Sequence, residues 1–216
     1  MPSRYHESLW EAIPARSQPA DLQLRLAFAL TRLRGASERA GSGSPPLRVL
    51  DVGCGEAQIT AELARAGFDV VGVDIAEEPL RRARREHPEL DVRLIDERDW
   101  PLDDASFDAV FSGETVEHVL DTIGWLSEVR RVLRPRGRLL LSTPALGPLA
   151  LLGAALSPRA FERRFDPRSD HVRFYSRATL TRLLLDFGFE QIELRGVGGA
   201  PCARRVLLAA AVRSRF

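Results

Sequence analysis

Between Asp51 and His118, acids, glycines and a histidine recur just after short apolar runs. The first group is Asp51-Val-Gly53-Cys54-Gly55, which follows Val49-Leu50. Glycines let a backbone approach a ligand closely and turn sharply into a helix, and that is how a chain seats a nucleotide. Asp74 stands after the second apolar run, where a carboxylate can hold both hydroxyls of a ribose. Asp96 and Glu97 follow a third run. Ser112, Gly113 and Glu114 follow a fourth, with Glu117 and His118 just beyond. Acids that merely terminate strands would account for one or two of these positions, hardly for all. The pattern points to an adenosine-containing cofactor. A nicotinamide dinucleotide fits less well, because its fingerprint places a glycine three residues after the second one, and that position is Gln58. Nor does that fingerprint require an acid two residues before its first glycine, as Asp51 is here.

The elements that must position these groups alternate. "LRVLDV" reads as a buried strand, Gln58–Ala66 as a helix stopped by Gly67, and "FDVVGVD" as a second strand. "EEPLRRARREH" is a helix ended by Pro88, "LDVRLID" a third strand and "FDAVFSG" a fourth. Asp121–Leu133 is a helix with Ile123, Leu126, Val129 and Leu133 inward, closed by Pro135 and Gly137, and "RLLLSTP" is a fifth strand. "SRATLTRLLLDFG" restores a helix, and "FEQIELRGV" and "RRVLLAAAVR" close the chain as two strands joined too tightly for a helical crossover. The expected fold is therefore α/β: a Rossmann-like, doubly wound, seven-stranded sheet, mostly parallel with the last strand antiparallel. Residues 1–46 are expected to form an N-terminal helical cap and linker. Its helix runs over Asp21–Arg39 with Leu22, Leu26, Leu30 and Leu33 in phase, and "GSGSPP" breaks the chain behind it. Residues 47–216 form the main domain, with a lid insertion at about 145–173.

Composition narrows the classes. The 216 residues are 44% hydrophobic, enough for one substantial core, and the net charge of +1 offers no global field for nucleic acid. The chain has no lysine, so all 31 basic residues are arginine. That excludes Schiff-base and P-loop chemistry and the Tyr-x-x-x-Lys pair of short-chain dehydrogenases. Cys54 and Cys202 are far apart and match no metal spacing, which fits a reducing cytoplasm, and Cys202 is read as structural. The N-terminus lacks the apolar core of a signal peptide, and "ALGPLALLGAAL" is too short to span a bilayer.

"VLDVGCGEAQIT", "VVGVDIA", "LIDERDWPLDDASFDAVFSGETVEHVLD" and "EVRRVLRPRGRLLLSTP" resemble, in order, the successive motifs of the class I S-adenosylmethionine-dependent methyltransferases. The likeness covers roughly residues 47–145 and is nearest to the small-molecule branch that includes ubiquinone-biosynthesis O-methyltransferases. "HVRFYSRATLTRLLLDFGF" is similar to that branch's final helix–strand unit. The resemblance implies S-adenosylmethionine as cofactor. Gly53, Cys54 and Gly55 would line its methionine part, with Asp51 reaching the ammonium. Asp74 would grip the ribose while Ile75 packs on the adenine. Asp96 would face the adenine amino group and the Glu97 N–H a ring nitrogen. The carbonyls of Ser112 and Gly113 would lie near the ammonium. The family often has a third glycine where this chain has Ala57, so the loop is expected to be slightly wider there.

The implied function is methyl transfer to an O or N atom of a small, partly apolar acceptor. The alternative is a non-catalytic S-adenosylmethionine- or S-adenosylhomocysteine-binding regulator or partner subunit. A general base is needed only for a protonated acceptor. His118 is the candidate, and His171, opening the last helical unit, could contact substrate. No metal is expected. The alternative set is Glu114, Glu117 and His118, which matches a Glu-x-x-Glu-His pattern that binds a metal in some ubiquinone-type relatives. The insertion is expected to choose the acceptor through an apolar pocket, with Arg159, Arg163 or Arg164 meeting a carboxylate or phosphate. Its apolar half beside arginines makes a membrane-surface role a lesser alternative. Tyr5 and Trp10 belong to a segment expected to cover the cofactor. No nucleic-acid partner is expected, and the sequence sets no oligomeric state.

Overall fold

The structure is a computed structural model and describes residues 2–17, 21–41, 43–166, 168–200 and 204–215. Cys202 lies outside them, as do the side chains of Arg163 and Arg164. Seven strands form one sheet: β1 (Arg48–Val52), β2 (Asp69–Asp74), β3 (Asp91–Leu94), β4 (Phe107–Gly113), β5 (Leu133–Pro144), β6 (Phe189–Val197) and β7 (Val206–Arg213). Their order is β3-β2-β1-β4-β5-β7-β6. The first five strands pair in parallel and β7 runs antiparallel to both β5 and β6, as the tight last connection predicted. Strand order reverses between β1 and β4, so the crevice for a ligand opens at their carboxyl ends.

Period-two alternation decides which residues face which helices. Val49, Ala109, Phe111, Leu140 and Ala210 point to one face and pack with α2 (Leu22–Ala40) and α3 (Gln58–Arg65) through Leu26, Ala29, Leu33, Ile59 and Leu63. Leu50, Val110, Leu139, Leu141, Ala209 and Ala211 point the other way, onto α5 (Thr122–Val132) and α8 (Arg177–Asp186). Strands buried on both faces read as continuous apolar runs, which is what made them visible in the sequence. Since α2 supplies core residues, residues 1–46 split into a core helix and an outer one, α1 (Pro2–Ala12).

Helix α1 docks on α4 (Glu77–Glu86) by exchanging end caps. The Glu7 carboxylate accepts from the N–H groups of Glu77 and Glu78 at 2.8 and 2.9 Å, at the helix end where anions are favoured. Arg82 donates in return to the carbonyls of Trp10 and Ile13 at 3.0 and 2.9 Å, and pairs with Glu56 and Glu78.

Three local expectations change. Ile123 is 68% exposed; Thr122, Trp125, Leu126, Val129 and Val132 face inward instead. Trp125 lies about 200° around the helix from Ile123, and the larger ring takes the core. β3 is shorter than its apolar run because it is an edge strand and leaves the ladder after Leu94. β5 starts at Leu133, not Arg138: Leu133 pairs with Phe107 across a register shift that accommodates Pro135 and Gly137.

The insertion contains α6 (Pro148–Leu156) and α7 (Pro158–Arg164), and Ala145 and Tyr175 close its base as a parallel bridge. In α6 Ala154 is buried, whereas Leu149, Leu151, Leu152 and Leu156 are exposed. Among the described residues, no helix is long and apolar enough to cross a membrane.

Candidate functional site

Two adjoining cavities of about 290 Å³ each open at the carboxyl ends of β1, β2 and β4, with Trp10 of α1 lining both. The first is lined by Asp74, Ile75, Ile95, Glu97 and Trp100, together with Thr115, His118, Val119, Leu120 and Trp125. The second is lined by Arg25, Asp51, Gly53, Cys54, Gly55 and Gly113. Trp10, Trp100 and Trp125 are all the tryptophans of the chain, and all three stand on the walls of the first cavity.

The glycine loop is built for close approach. Gly53 has φ 75° and Gly55 φ 54°, both left-handed. A Cβ on Gly53 would sit 2.3 Å from Thr115 Oγ1, and one on Gly55 would meet the Trp10 ring at 3.0 Å. Ala57 is left-handed as well, with φ 60°, which explains why glycine suits that position; alanine holds it fully buried at a cost of about 1–2 kcal/mol. Asp74 ties the loop to the next one: its carboxylate accepts from the N–H of Gly55 at 2.9 Å and of Ala76 at 3.0 Å. Burial raises its pKa, and those backbone donors oppose the rise.

Asp51 is 2% exposed and accepts from Thr60 Oγ1 at 2.7 Å. Burial pushes its pKa up to about 7 against that hydrogen bond, with the Asp74 charge adding to the rise. Burial likewise raises the Cys54 thiol well above its ordinary value, so it is a neutral wall of the site. Arg25, buried in α2, brings a cation to the same cavity and lies 3.4 Å from where a Gly113 Cβ would be. The sequence reading missed Arg25. Its signal was an arginine three residues after Leu22, on the inward stripe of a helix.

Of the other expected site residues, Ile75, Glu97 and Gly113 line the cavities, but Asp96 and Ser112 do not. Asp96 is exposed and accepts from the N–H of Arg98, while Ser112 is buried and donates to the Val52 carbonyl. Glu114 lines both cavities in a left-handed conformation, φ 55°, with its carboxylate on Ser142 Oγ at 2.9 Å. Non-glycine residues held in this region cluster at functional sites. Glu117 is 1% exposed, and burial, reinforced by the Glu114 charge, raises its carboxyl to about 8. Burial lowers the pKa of His118, with Asp170 opposing and His171 assisting. Among the described residues, the three groups that come together with metal-ligand spacing are Glu117, His118 and His171, their ligand atoms within 4.8 Å of one another; Glu114 is not among them. Asp170 is the insertion's only residue on a cavity wall among the described residues, and Arg159 is exposed elsewhere. Among the described residues, the insertion's leucines line neither of these two cavities.

Buried carboxylates at the ends of β1 and β2, a glycine loop with no room for side chains and the Arg25 cation thus meet at these two cavities. A family model described as "Methyltransferase domain" matches residues 17–194. The chain belongs to the class I S-adenosylmethionine-dependent methyltransferases. This methyltransferase domain is 35% identical over 69% of its length to a "Probable S-adenosylmethionine-dependent methyltransferase" of Mycolicibacterium smegmatis, covering 54% of that protein. It is 31% identical over 74% of its length to the ubiquinone biosynthesis O-methyltransferase of Dinoroseobacter shibae, covering 66% of it. The chain thus spans between half and two thirds of the length of these relatives. The fold is shared with the CurJ carbon methyltransferase (TM-score 0.71, 16% identity, 92% of this chain and 56% of that one). It is also shared with phosphoethanolamine N-methyltransferase 2 of Haemonchus contortus (TM-score 0.65, 20% identity, 85% and 52%).

Proposed function

We propose that this methyltransferase domain transfers a methyl group from S-adenosylmethionine to a hydroxyl oxygen of a small, partly apolar acceptor. The observation that carries the reading is that His118 lines the same cavity as Asp74 and Ile75, with Trp100, Trp125, Val119 and Leu120. The choice of oxygen is supported by the similarity to ubiquinone biosynthesis O-methyltransferases.

The residues present suit the cofactor. Asp51 and Arg25 offer opposite charges to a zwitterionic amino acid end, and the bare faces of Gly53 and Gly55 leave it room. Asp74 has lone pairs beyond its two backbone bonds for ribose hydroxyls. Ile75, Ile95 and Trp100 provide the apolar slot for a purine. When bound, the cofactor supplies a methyl group already activated on a sulfonium. The chain's own work is alignment, exclusion of water and removal of one proton. His118, held neutral by burial, takes the hydroxyl proton as the oxygen attacks.

A second reading places a divalent cation on Glu117, His118 and His171, favoured by the convergence of their ligand atoms. Two measurements separate the possibilities. Calorimetry with S-adenosylhomocysteine should show binding that Asp74→Ala weakens at least tenfold; equal affinity in the two proteins defeats the cofactor assignment. Methyl transfer to a panel of phenols and catechols should survive chelation and be lost in His118→Ala. Loss on chelation with recovery on adding Mg²⁺ would favour the cation. Binding without any turnover would favour the regulator or partner-subunit reading.

A further inference from the structure

The ring of His118 is held from one side by Asp170. Its Nδ1 lies 3.1 Å from the Asp170 main-chain carbonyl oxygen and 3.3 Å from the carboxylate Oδ2. A main-chain carbonyl oxygen can only accept a hydrogen bond. Nδ1 must therefore carry a proton, and in the neutral imidazole the lone pair is left on Nε2.

The backbone around Asp170 is fixed independently of its side chain. The N–H groups of Val172 and Arg173 both donate to the Glu117 carbonyl, at 2.9 and 3.0 Å. The Arg173 guanidinium donates to the Leu120 carbonyl at 2.7 Å, and Tyr175 OH to that of Val116 at 3.3 Å. The His171 ring stands edge-on to the His118 ring, 4.8 Å between centroids. On the other sides are His6 of α1, at 6.3 Å between centroids, and Glu117, whose Oε1 is 4.0 Å from Nε2. None of these offers Nδ1 an alternative acceptor at hydrogen-bond distance.

We infer that Asp170 is a positioning residue: it locks the His118 imidazole in the tautomer whose Nε2 faces the acceptor hydroxyl. This rests on the reading of His118 as the base. In the transfer, the acceptor oxygen forms its bond to the methyl carbon, the sulfur keeps the electron pair of the broken bond, and Nε2 receives the hydroxyl proton and later yields it to solvent. The insertion thereby has a positioning duty that its exposed leucines do not suggest. With Asn at 170, the side chain can turn an N–H₂ donor toward Nδ1 and favour the tautomer with the proton on Nε2. The main-chain carbonyl still opposes that change, so the loss should be partial.

The test uses the full chain saturated with S-adenosylhomocysteine, with ¹⁵N-labelled histidine observed by NMR, and turnover measured with 3,4-dihydroxybenzoate as the methyl acceptor. Wild-type His118 should be Nδ1-protonated, and Asp170→Asn should shift a measurable population to the Nε2-protonated form. In turnover, Asp170→Asn should lower kcat roughly 10- to 100-fold. Affinity for S-adenosylhomocysteine should stay within about twofold, since Asp170 acts through His118, and Asp170→Glu should recover part of the rate. A wild-type His118 protonated on Nε2, or an Asp170→Asn protein with an unchanged tautomer, overturns the inference whether or not the probe phenol is turned over. If His118→Ala abolishes turnover and Asp170→Asn keeps it, positioning fails and the base survives. If His118→Ala retains full turnover, the base reading itself fails.

Discussion

On the proposed cofactor assignment, the buried Asp51 should make cofactor affinity a function of pH. Its carboxyl is pushed up to about 7, chiefly by burial, so in the empty domain near neutrality it is protonated about half the time. An ammonium group entering the cavity needs the ionised form. With that pKa, the ionised fraction rises from about one tenth at pH 6 to about nine tenths at pH 8, so Kd for S-adenosylhomocysteine should fall about tenfold over that interval and level off above it. The same shift affects stability with opposite sign. Between pH 4 and 7 the folded chain holds the Asp51 proton more tightly than the unfolded chain does, so the empty domain loses stability as pH rises through this window. The displacement from the ordinary value amounts to roughly 4 kcal/mol at most. Asp51→Asn keeps an acceptor for Thr60 Oγ1 and removes the titration. The variant should bind the ligand weakly and with a flat pH profile, and without ligand at pH 8 it should melt higher than wild type. Glu117, raised to about 8, contributes a stability slope of the same sign that the substitution leaves in place. Calorimetric Kd at pH 6, 7 and 8, with thermal melts of both proteins, tests the argument. A wild-type Kd that is flat from pH 6 to 8 would refute it, as would an Asp51→Asn profile that keeps the wild-type slope.

Gly53→Ala forces a Cβ to within 2.3 Å of Thr115 Oγ1 at φ 75°. It should cost about 1–3 kcal/mol in denaturant melts, and adding Thr115→Ala should return part of that; no recovery would mean the contact is not what excludes a side chain. Glu7→Ala removes both acceptors that hold α1 on the start of α4. It should weaken cofactor binding several-fold, about 1–2 kcal/mol for two charge-assisted bonds, and speed amide exchange in residues 5–12; unchanged protection there would show that α1 is held by other contacts.

What the sequence revealed was what periodicity and chain position control. β4 and β6 begin and end where their apolar runs do, and the acids and glycines that follow β1, β2 and β4 could be placed because a parallel strand delivers its next residues to one edge of the sheet. The direction in which a loop side chain turns is not encoded that way. Asp96 sits where the motif puts it, yet its carboxylate bonds the backbone two residues on and leaves Glu97 at the wall. Arg25 and Asp170 could not be assigned to the site for a different reason. Each is brought to the cavity by long-range packing, one from the helix ahead of the sheet and one from the end of the insertion, and no local spacing links either to Asp51 or His118. The leucines of α6 misled because an apolar segment shows that burial would be favourable without showing against what.

With Trp10, Trp100 and Trp125 gathered around a single cavity, no indole elsewhere in the chain dilutes their signal. Trp10 rests over the glycine loop, and Trp100 and Trp125 stand edge-to-face, 6.5 Å between centroids. Intrinsic fluorescence in this protein is therefore a spectroscopic window on one place. Occupancy of the cofactor slot and of the acceptor side can be followed in the unlabelled wild-type chain, and single Trp→Phe substitutions can divide that light between the two.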